Sequence, residues 1–276
     1  MNIVIISGQL GSLSDVVAAI VARKKGYRLI GPEQIHERAN VCDVEYADAC
    51  TMYETETGPG LIGRIFFDSP SYNSLFQSLT YEFASEGNVV IMGRGAQFIL
   101  RDIPGVFRLR VVAPTRLRVQ RIKERYGIAS EEASKLVRKH DRQRLSLLQS
   151  VFDHDIEDWS LFDMILNTSH FSADGAAETV CNAHDSMERA PQPENIKEKL
   201  AAMALAKRIE TVIRKRLGSS VAHGVEVTGE PGGLMIISGD VREKANKSNA
   251  EKIAKEFAGV TSVKNELKST QLTFGV

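Results

Sequence analysis

Two glycines stand between a short apolar run and an amphipathic segment close to the N-terminus. The apolar run is Ile3–Ile6, the glycines are Gly8 and Gly11, and the hydroxyl residues Ser12 and Ser14 follow. Glycine lets backbone N–H groups turn toward an anion, and the N-terminus of the next helix adds positive potential. The spacing is typical of a phosphate-binding loop, although an ordinary tight strand-to-helix turn explains the same residues. The full pattern for such a loop is GxxxxGK[ST], and here Ser14 stands where the lysine is expected and Val16 where a metal-binding hydroxyl is expected.

Arginine is placed where it could meet a phosphate. Arg94 lies in a Gly-Arg-Gly turn that follows the apolar run Asn88–Met92, and Arg118, Arg121 and Arg125 have helical i, i+3, i+7 spacing. A guanidinium group forks readily onto phosphate oxygens, and one helix face would present three of them. The alternatives are a surface arginine at the turn and solvated helix faces with local ion pairs to Glu124, Glu131 and Glu132.

The elements that would position these residues alternate between strand and helix. Apolar runs at 3–6, 88–92, 106–113 and 162–166 predict strands. Helices are predicted for 13–23, 71–86, 114–125, 130–149 and 172–187, with a further helix starting at Gly31-Pro32. This alternation predicts an α/β fold, a parallel sheet with helices on both faces. Residues 41–63 fit no period, which is typical of a mobile lid or a substrate loop.

A second domain with a different pattern follows two prolines, Pro191 and Pro193. We predict a first domain over residues 1–190, a linker over 191–199 and a small α+β domain of αββαβ order over 200–270. Residues 194–270 hold 14 Lys or Arg and 10 Asp or Glu, against 21 and 25 in the rest of the chain. Neither part has the basic excess of a DNA- or RNA-binding domain.

Composition limits the function further. The chain has 276 residues, 35 basic and 35 acidic side chains, 43% hydrophobic residues and three cysteines. An odd number of cysteines without a CxxC pair favours a reduced, cytoplasmic protein. The N-terminus has no basic region of a signal peptide, and no apolar run reaches the roughly 20 residues of a membrane span, so we do not expect a membrane partner.

Residues from Met1 to about Met187 resemble the cytidylate kinase-like branch of the P-loop nucleoside monophosphate kinases. The segments that carry the resemblance are Ser7–Ser12, Gly87–Ala96, Val112–Pro114 with its arginine helix, Ala133–Arg144 and Phe162–Ser169. The resemblance implies a five-stranded parallel sheet with a lid. It also implies transfer of the γ-phosphoryl group of ATP, with Mg²⁺, to a pyrimidine monophosphate such as CMP or dCMP.

The same resemblance implies roles for individual residues. The donor phosphates would be held by the loop residues Gly8, Gln9, Leu10, Gly11, Ser12 and Ser14. Arg94, Asp141 and Arg144 would bind the acceptor nucleotide, and Arg118, Arg121 and Arg144 would act on the transferred phosphoryl group. No metal-ligating residue of the chain is predicted.

The chain departs at the loop from the family that it resembles. Leu13 replaces a glycine, lysine is missing at Ser14 and the hydroxyl is missing at Val16, while Asp15 would repel phosphate unless it binds metal or points away. A catalytically impaired nucleotide binder that serves as a regulator is therefore the alternative function.

Residues from about Ala201 to Ser269 resemble the BON domain. The closing segment Gly259–Leu267, with the pattern Gly-Val-x-x-Val-x-Asn, is its most specific part. The family implies phospholipid or another ligand, but the chain shows no export signal. We expect this domain to serve regulation, sensing or homo-oligomer formation.

Overall fold

The computed structural model describes residues 1–42, 70–93, 95–152, 158–187, 191–218, 221–222 and 224–269. Arg94 and nearly all of the irregular segment 41–63 lie outside the described residues. The chain forms two compact units. One comprises Met1–Arg64 and Glu86–Gln192, and the other comprises Ile65–Ser85 and Pro193–Val276.

The described elements follow one another along the chain as strands and helices. The first twelve are β1 (Ile3–Gly8), α1 (Ser14–Lys25), β2 (Arg28–Ile30), α2 (Pro32–Cys42), α3 (Pro70–Glu86), β3 (Val89–Met92), α4 (Ala96–Ile99), β4 (Val106–Val112), α5 (Thr115–Tyr126), α6 (Ser130–Phe152), β5 (Met164–Asn167) and α7 (Ala173–Ser186). The rest are α8 (Ile196–Leu217), β6 (Glu226–Glu230), β7 (Leu234–Ser238), β8 (Asp240–Val241), α9 (Lys244–Lys255), β9 (Ser262–Asn265) and β10 (Lys268–Ser269).

The first unit is built on a five-stranded parallel sheet of order β2-β3-β1-β4-β5. Its central strand β1 is buried along its whole length and pairs in register with β3 and β4. The predicted α/β fold is confirmed. Strand β2 was not predicted, because only Ile30 of its three residues is buried and no apolar pattern marks it.

The strand β1 supplies side chains to both faces of the sheet, as strand geometry requires. Val4 and Ile6 pack in one apolar cluster with Val17 and Val21 of α1 and with Val180 of α7. Ile3 and Ile5 are equally buried and alternate with them, so they face the opposite side. A strand buried on both faces reads as an unbroken apolar run, which is what the sequence shows.

The carboxyl ends of β1 and β3 bring the two glycine motifs to the same sheet edge. Strand β1 leads into the loop at Gly8, and β3 leads into Gly93, whose N–H donates to the Ile6 carbonyl over 2.9 Å. In open parallel sheets ligands bind at this edge, where the strand order reverses. The fold therefore places the loop and the Gly93 turn where a shared ligand would lie.

In its described residues the second unit contains two small sheets and three helices. The larger sheet has the order β6-β7-β9, with β6 antiparallel and β9 parallel to β7, and β8 pairs with β10. Its core joins Ile209 and Ile213 of α8 to Val227, Ile237 and Ile253. The predicted α+β architecture is confirmed, and the short β8–β10 pair is an addition to it.

One buried carboxylate links α8 to the sheet of the second unit. Glu210 is 2% exposed and accepts from the Val227 N–H over 2.9 Å. Lys207 and Arg214, one turn before and after it, each place a nitrogen 2.7 Å from its oxygens. A buried charge is tolerated only when it is paired and hydrogen-bonded, and Glu210 meets both conditions.

Helix α3 packs within the second unit as far as Ser85. Ser78 Oγ donates to the Ala204 carbonyl over 2.7 Å, and Thr211 Oγ1, which donates to the Lys207 carbonyl over 2.7 Å, is also hydrogen-bonded with Ser74 Oγ over 3.0 Å. The sequence places this helix between two strands of the predicted first domain. The domain boundaries at residues 190 and 200 stay a prediction.

Across the residues that the structure describes, none of the helices combines the length and apolar character that crossing a bilayer requires.

We expect Gly239→Ala to destabilise the protein far more than Gly232→Ala. Both glycines hold φ near +90 to +105°, but a Cβ on Gly239 would lie 1.9 Å from the Gly224 carbonyl oxygen, whereas nothing lies within 4 Å of one on Gly232. Gly232→Ala should lower the free energy of unfolding by about 1–2 kcal/mol through backbone strain alone, and Gly239→Ala by at least about 3 kcal/mol. Urea denaturation measures both, and equal losses would contradict the packing.

Candidate active site

The backbone carbonyls of the loop are all engaged from Gly8 to Leu13. Two accept from the backbone N–H groups of Ser12 and Val17. The other four accept from side chains: Gly8 from Arg144 Nη1 (2.6 Å), Leu10 from Arg118 Nη1 (3.4 Å), Gly11 from Arg121 Nη1 (3.2 Å) and Ser12 from Thr168 Oγ1 (2.9 Å). The acceptors of the loop are thereby satisfied inside the protein.

Three backbone N–H groups of the loop have no acceptor among the described residues of the protein. The N–H groups of Leu10, Gly11 and Leu13 donate to no protein acceptor in the described part of the chain. Ser12 Oγ is buried and also without a partner, and it lies 3.1 Å from the position of a Cβ on Gly8. Unpaired N–H groups at a helix N-terminus form an anion site.

Glycine is needed at both ends of the loop. Gly11 has φ +79°, and a Cβ there would lie 2.7 Å from the Arg118 carbonyl oxygen. A Cβ on Gly8 would lie 2.0 Å from Ser14 Oγ, so Ser14 packs directly over Gly8. Leu13 also holds a left-handed φ of 67°, which is strained for a residue with a branched side chain.

Arg118 and Asp141 are bonded to each other. Arg118 is 3% exposed and donates to both carboxylate oxygens of Asp141, over 3.1 and 2.8 Å. Its Nε donates to the Ala113 carbonyl and its Nη2 to Thr115 Oγ1. In this structure Arg118 holds the loop and Asp141 holds Arg118, while their implied roles toward the phosphoryl group and the acceptor stay predictions.

Arg121 joins the loop to the end of β5. Its Nη1 donates to Thr168 Oγ1 over 3.0 Å, and its Nη2 donates to the Thr168 carbonyl over 2.9 Å. Burial lowers the pKa of the Arg121 guanidinium. Thr168 is fully buried and the sequence analysis missed it as a site residue. The available signal was a polar residue directly after a strand, at the sheet edge that carries the loop.

Two guanidinium groups meet at Ser7, directly before the loop. Arg110 Nη1 and Arg144 Nη2 both donate to Ser7 Oγ, over 2.8 and 2.9 Å. Arg144 Nη2 also lies 3.9 Å from the position of a Cβ on Gly93. Arg144 therefore holds the loop and lies beside the Gly93 turn, while its implied role in the site stays a prediction. Arg110 was missed, although an arginine inside an apolar strand was a visible signal.

The carboxylate of Asp15, which was expected to repel phosphate, is paired with Arg125. Arg125 Nη1 donates to Asp15 Oδ2 over 2.6 Å, and both side chains are about half exposed. Arg125 thus neutralises the one carboxylate in the first turn of α1. Gln9 Oε1 accepts from the Ala113 N–H over 3.3 Å.

The imidazole of His140 lies among the charges of this region. Burial, followed by the charge of Arg144, lowers the pKa of His140 to about 4, against an opposing effect of Asp141. Its Nδ1 is buried without a hydrogen-bond partner. His140 is therefore neutral near pH 7.

A magnesium ion implied by the resemblance finds no ligand set of its own. Within the described ranges no three His, Cys, Asp or Glu side chains could together hold a metal ion. Asp15 is bonded to Arg125, and Val16 offers no oxygen. Within the described ranges, these residues do not fit a magnesium ion that is held by side chains of the protein alone.

Comparison with known proteins identifies the families that the two parts of the chain match. A model described as the cytidylate kinase-like family matches residues 3–170, and a BON domain model matches residues 205–271. Cytidylate kinase of Pyrococcus horikoshii is 34% identical over 118 residues, or 43% of this chain and 60% of that protein. That of Thermococcus kodakarensis is 34% identical over 106 residues, or 38% and 54%. Cytidylate kinase of Methanocella arvoryzae is 28% identical over 192 residues, or 68% and 99%.

A five-stranded parallel sheet with flanking helices, and a glycine loop after its central strand, defines a P-loop kinase-like protein. The family match covers more than half of the chain, and the chain belongs to the cytidylate kinase-like family. Its C-terminal part, residues 205–271, is a BON domain. The chain spans less than two thirds of the length of the Pyrococcus and Thermococcus relatives.

We expect Asp141→Asn to lower the free energy of unfolding by about 2 kcal/mol or more, because it leaves the buried Arg118 charge without its partner. The control is Asp15→Asn, which breaks the exposed pair with Arg125 and should cost less than about 1 kcal/mol. Urea denaturation at pH 7 measures both variants. Equal losses would show that Asp141 is not needed to hold Arg118.

The pKa of His140 predicts a pH dependence of stability. The unfolded chain takes up a proton near pH 6.5 that folded His140 takes up only near pH 4. Above pH 6.5, neutral His140 therefore makes its full contribution to the free energy of unfolding. This contribution is lost as the pH falls toward 4, by at most about 3 kcal/mol. The difference in unfolding free energy between wild type and His140→Asn should shrink over this range in urea titrations. A difference that stays constant from pH 7 to pH 4 would refute the assignment.

Proposed function

We propose that the N-terminal unit transfers the γ-phosphoryl group of ATP to a pyrimidine nucleoside monophosphate such as CMP or dCMP. The observation that carries this proposal is the loop after β1, whose carbonyls are all engaged while three of its N–H groups and Ser12 Oγ have no protein partner. A polyphosphate chain supplies the acceptors that these donors lack. Relatives named cytidylate kinase support the choice of acceptor.

The reaction needs little chemistry from the protein. An oxygen of the acceptor phosphate attacks the γ-phosphorus, the bond to the β-phosphate oxygen breaks, and ADP leaves. Catalysis is mostly positioning and charge stabilisation, so no general base is required. In this proposal the loop residues Gly8 to Ser12 and Ser14 hold the donor, and Mg²⁺ enters with the nucleotide.

The acceptor side of the site is assigned to the Gly93 turn and to α6. Arg144 lies next to Gly93 and holds Gly8, so it is placed to link the two nucleotides. Arg94 and Asp141 keep their implied roles as acceptor ligands. For Asp141 this requires sharing its carboxylate with Arg118. For Arg118 and Arg121, we propose that they act on the phosphoryl group through the loop that they hold.

The alternative is a nucleotide-binding regulator without turnover. Ser14 and Val16 replace the lysine and the hydroxyl of the full loop pattern, and Leu13 keeps a left-handed φ of 67° where the family has glycine. Loss of the lysine removes a direct phosphate contact. In this alternative the BON domain binds a ligand or a second copy of the chain and reports nucleotide binding.

Release of ADP in a coupled assay distinguishes the two functions. With ATP and Mg²⁺, the wild type should turn over with CMP or dCMP, and AMP should be a poor acceptor. Arg144→Met frees the Gly8 carbonyl and removes one of the two guanidinium donors to Ser7 Oγ. It should lower kcat/KM about 100-fold, the size of effect of losing a transition-state donor. Arg142→Met, an exposed neighbour on the same helix, is the control and should leave the rate unchanged.

Calorimetry completes the test. Binding of ATP and CMP without release of ADP would overturn the enzyme and favour the regulator. No binding of either nucleotide would overturn both.

A further inference from the structure

Gln97 is a buried polar residue that no step of the proposed reaction employs. It lies in α4, directly after the Gly93 turn, and its side chain is 0% exposed. Neither Nε2 nor Oε1 has a hydrogen-bond partner in the part of the chain that the structure describes. A primary amide offers two donor hydrogens and an acceptor oxygen, and leaving them unpaired away from water is unfavourable. Such groups are rare in native proteins, and a partner bound from outside explains them.

The unpaired atoms of the N-terminal unit lie around the proposed site. Among the described residues other than arginine, buried side-chain atoms without a hydrogen-bond partner occur in three: Ser12, Gln97 and His140. Ser12 belongs to the loop, and His140 lies on α6 one turn before Arg144. Arg144 holds the loop and lies 3.9 Å from the position of a Cβ on Gly93. The three residues therefore belong to the elements that surround the loop and the Gly93 turn.

Hydrogen bonds of the Gly93 turn fix the position of α4. The Gly93 N–H donates to the Ile6 carbonyl of β1 over 2.9 Å, and the Ala96 N–H donates to the Gly93 carbonyl over 3.1 Å. These two bonds at one residue keep the start of α4 beside the carboxyl end of β1. Gln97, the second residue of α4, therefore lies on the side of the proposed site that is assigned to the acceptor.

The chemistry of the amide selects one part of a nucleotide. Phosphate oxygens only accept hydrogen bonds at this pH, so a phosphate would leave Oε1 of Gln97 unpaired. The edge of a nucleobase places a donor beside an acceptor, as cytosine does with its 4-amino group and N3. A side-chain amide pairs with two such neighbouring groups in one plane. The base of the acceptor is therefore the group that satisfies both ends of the amide.

We propose that Gln97 binds the base of the nucleoside monophosphate acceptor through its side-chain amide. The proposal rests on the proposed function for its substrate class. The side chain has no exposed area in this structure, so neighbouring groups must move as the base binds. The phosphates of ATP are assigned to the loop, whose donors are separate from this amide.

The test uses full-length Gln97→Met, which keeps the length of the side chain and removes its polar atoms. We expect the Kd for CMP in calorimetry to rise about tenfold or more, the effect of losing two hydrogen bonds. The Kd for ATP should stay unchanged. Because the buried amide lacks a partner within the protein, the urea midpoint of the variant should equal or exceed that of the wild type.

A second ligand shows whether the base is the contact. The 5′-monophosphate of the pyrimidin-2-one ribonucleoside is CMP without the 4-amino group, so it leaves Oε1 of Gln97 unpaired. The wild type should bind it more weakly than CMP, whereas Gln97→Met should bind both ligands equally. Such a cycle isolates the interaction between the two groups that are removed.

Gln120→Met is the matched control. Gln120 is an exposed glutamine of α5 in the same unit, and its Nε2 donates to Glu124 over 3.0 Å. The same chemical change at this position should leave the Kd for CMP unchanged. The difference in Kd between CMP and the 2-pyrimidinone ligand should also stay as in the wild type.

Three results would overturn the proposal. They are an unchanged Kd for CMP in Gln97→Met, a preference for CMP over the 2-pyrimidinone ligand that persists in this variant, and a variant that is less stable than the wild type or does not fold. The last result would show that the amide has a partner inside the protein. A wild type that phosphorylates CMP beside an unaffected Gln97→Met would refute the role of Gln97 alone. A wild type that binds neither ATP nor CMP would refute the proposed function, and the role of Gln97 with it.

Discussion

The site depends on the hydrogen bonds that side chains donate to the backbone carbonyls of the loop. A peptide carries one donor and one acceptor, so a partly buried loop that offers its N–H groups to an anion still needs partners for its carbonyls. Arg118, Arg121, Arg144 and Thr168 provide that from three directions in the N-terminal unit. These four donors reach the carbonyls of the same loop because of the strand order of the sheet, the packing of α5 on α6 and the burial of Thr168.

This arrangement changes the meaning of the arginine pattern. The i, i+3, i+7 spacing correctly predicted that Arg118, Arg121 and Arg125 share a helix face, because spacing determines which side chains are neighbours. It could not determine what they face. Two of the three bind loop carbonyls, and the third pairs with Asp15. A guanidinium group suits a carbonyl as well as a phosphate, and only the fold decides between them.

The strands of the sheet were predictable because their burial on both faces leaves an unbroken apolar run. Strand β2 was not, since it is short and mostly exposed. The partners Ser74 and Thr211 were out of reach for another reason: 137 positions separate them, and no local pattern links residues so far apart. The left-handed Leu13 was also hidden, because a leucine carries no signal for positive φ.

The placement of α3 has a consequence for how the chain is made. Residues 70–86 leave the ribosome well before α8, and their partners follow 126 and 137 positions later. At about 5–20 residues per second, synthesis takes on the order of ten seconds to supply them. During this interval the N-terminal unit can assemble its sheet before α8 is available to Ser74 and Ser78. The C-terminal unit is therefore completed only when α8 emerges and meets a helix that was made much earlier.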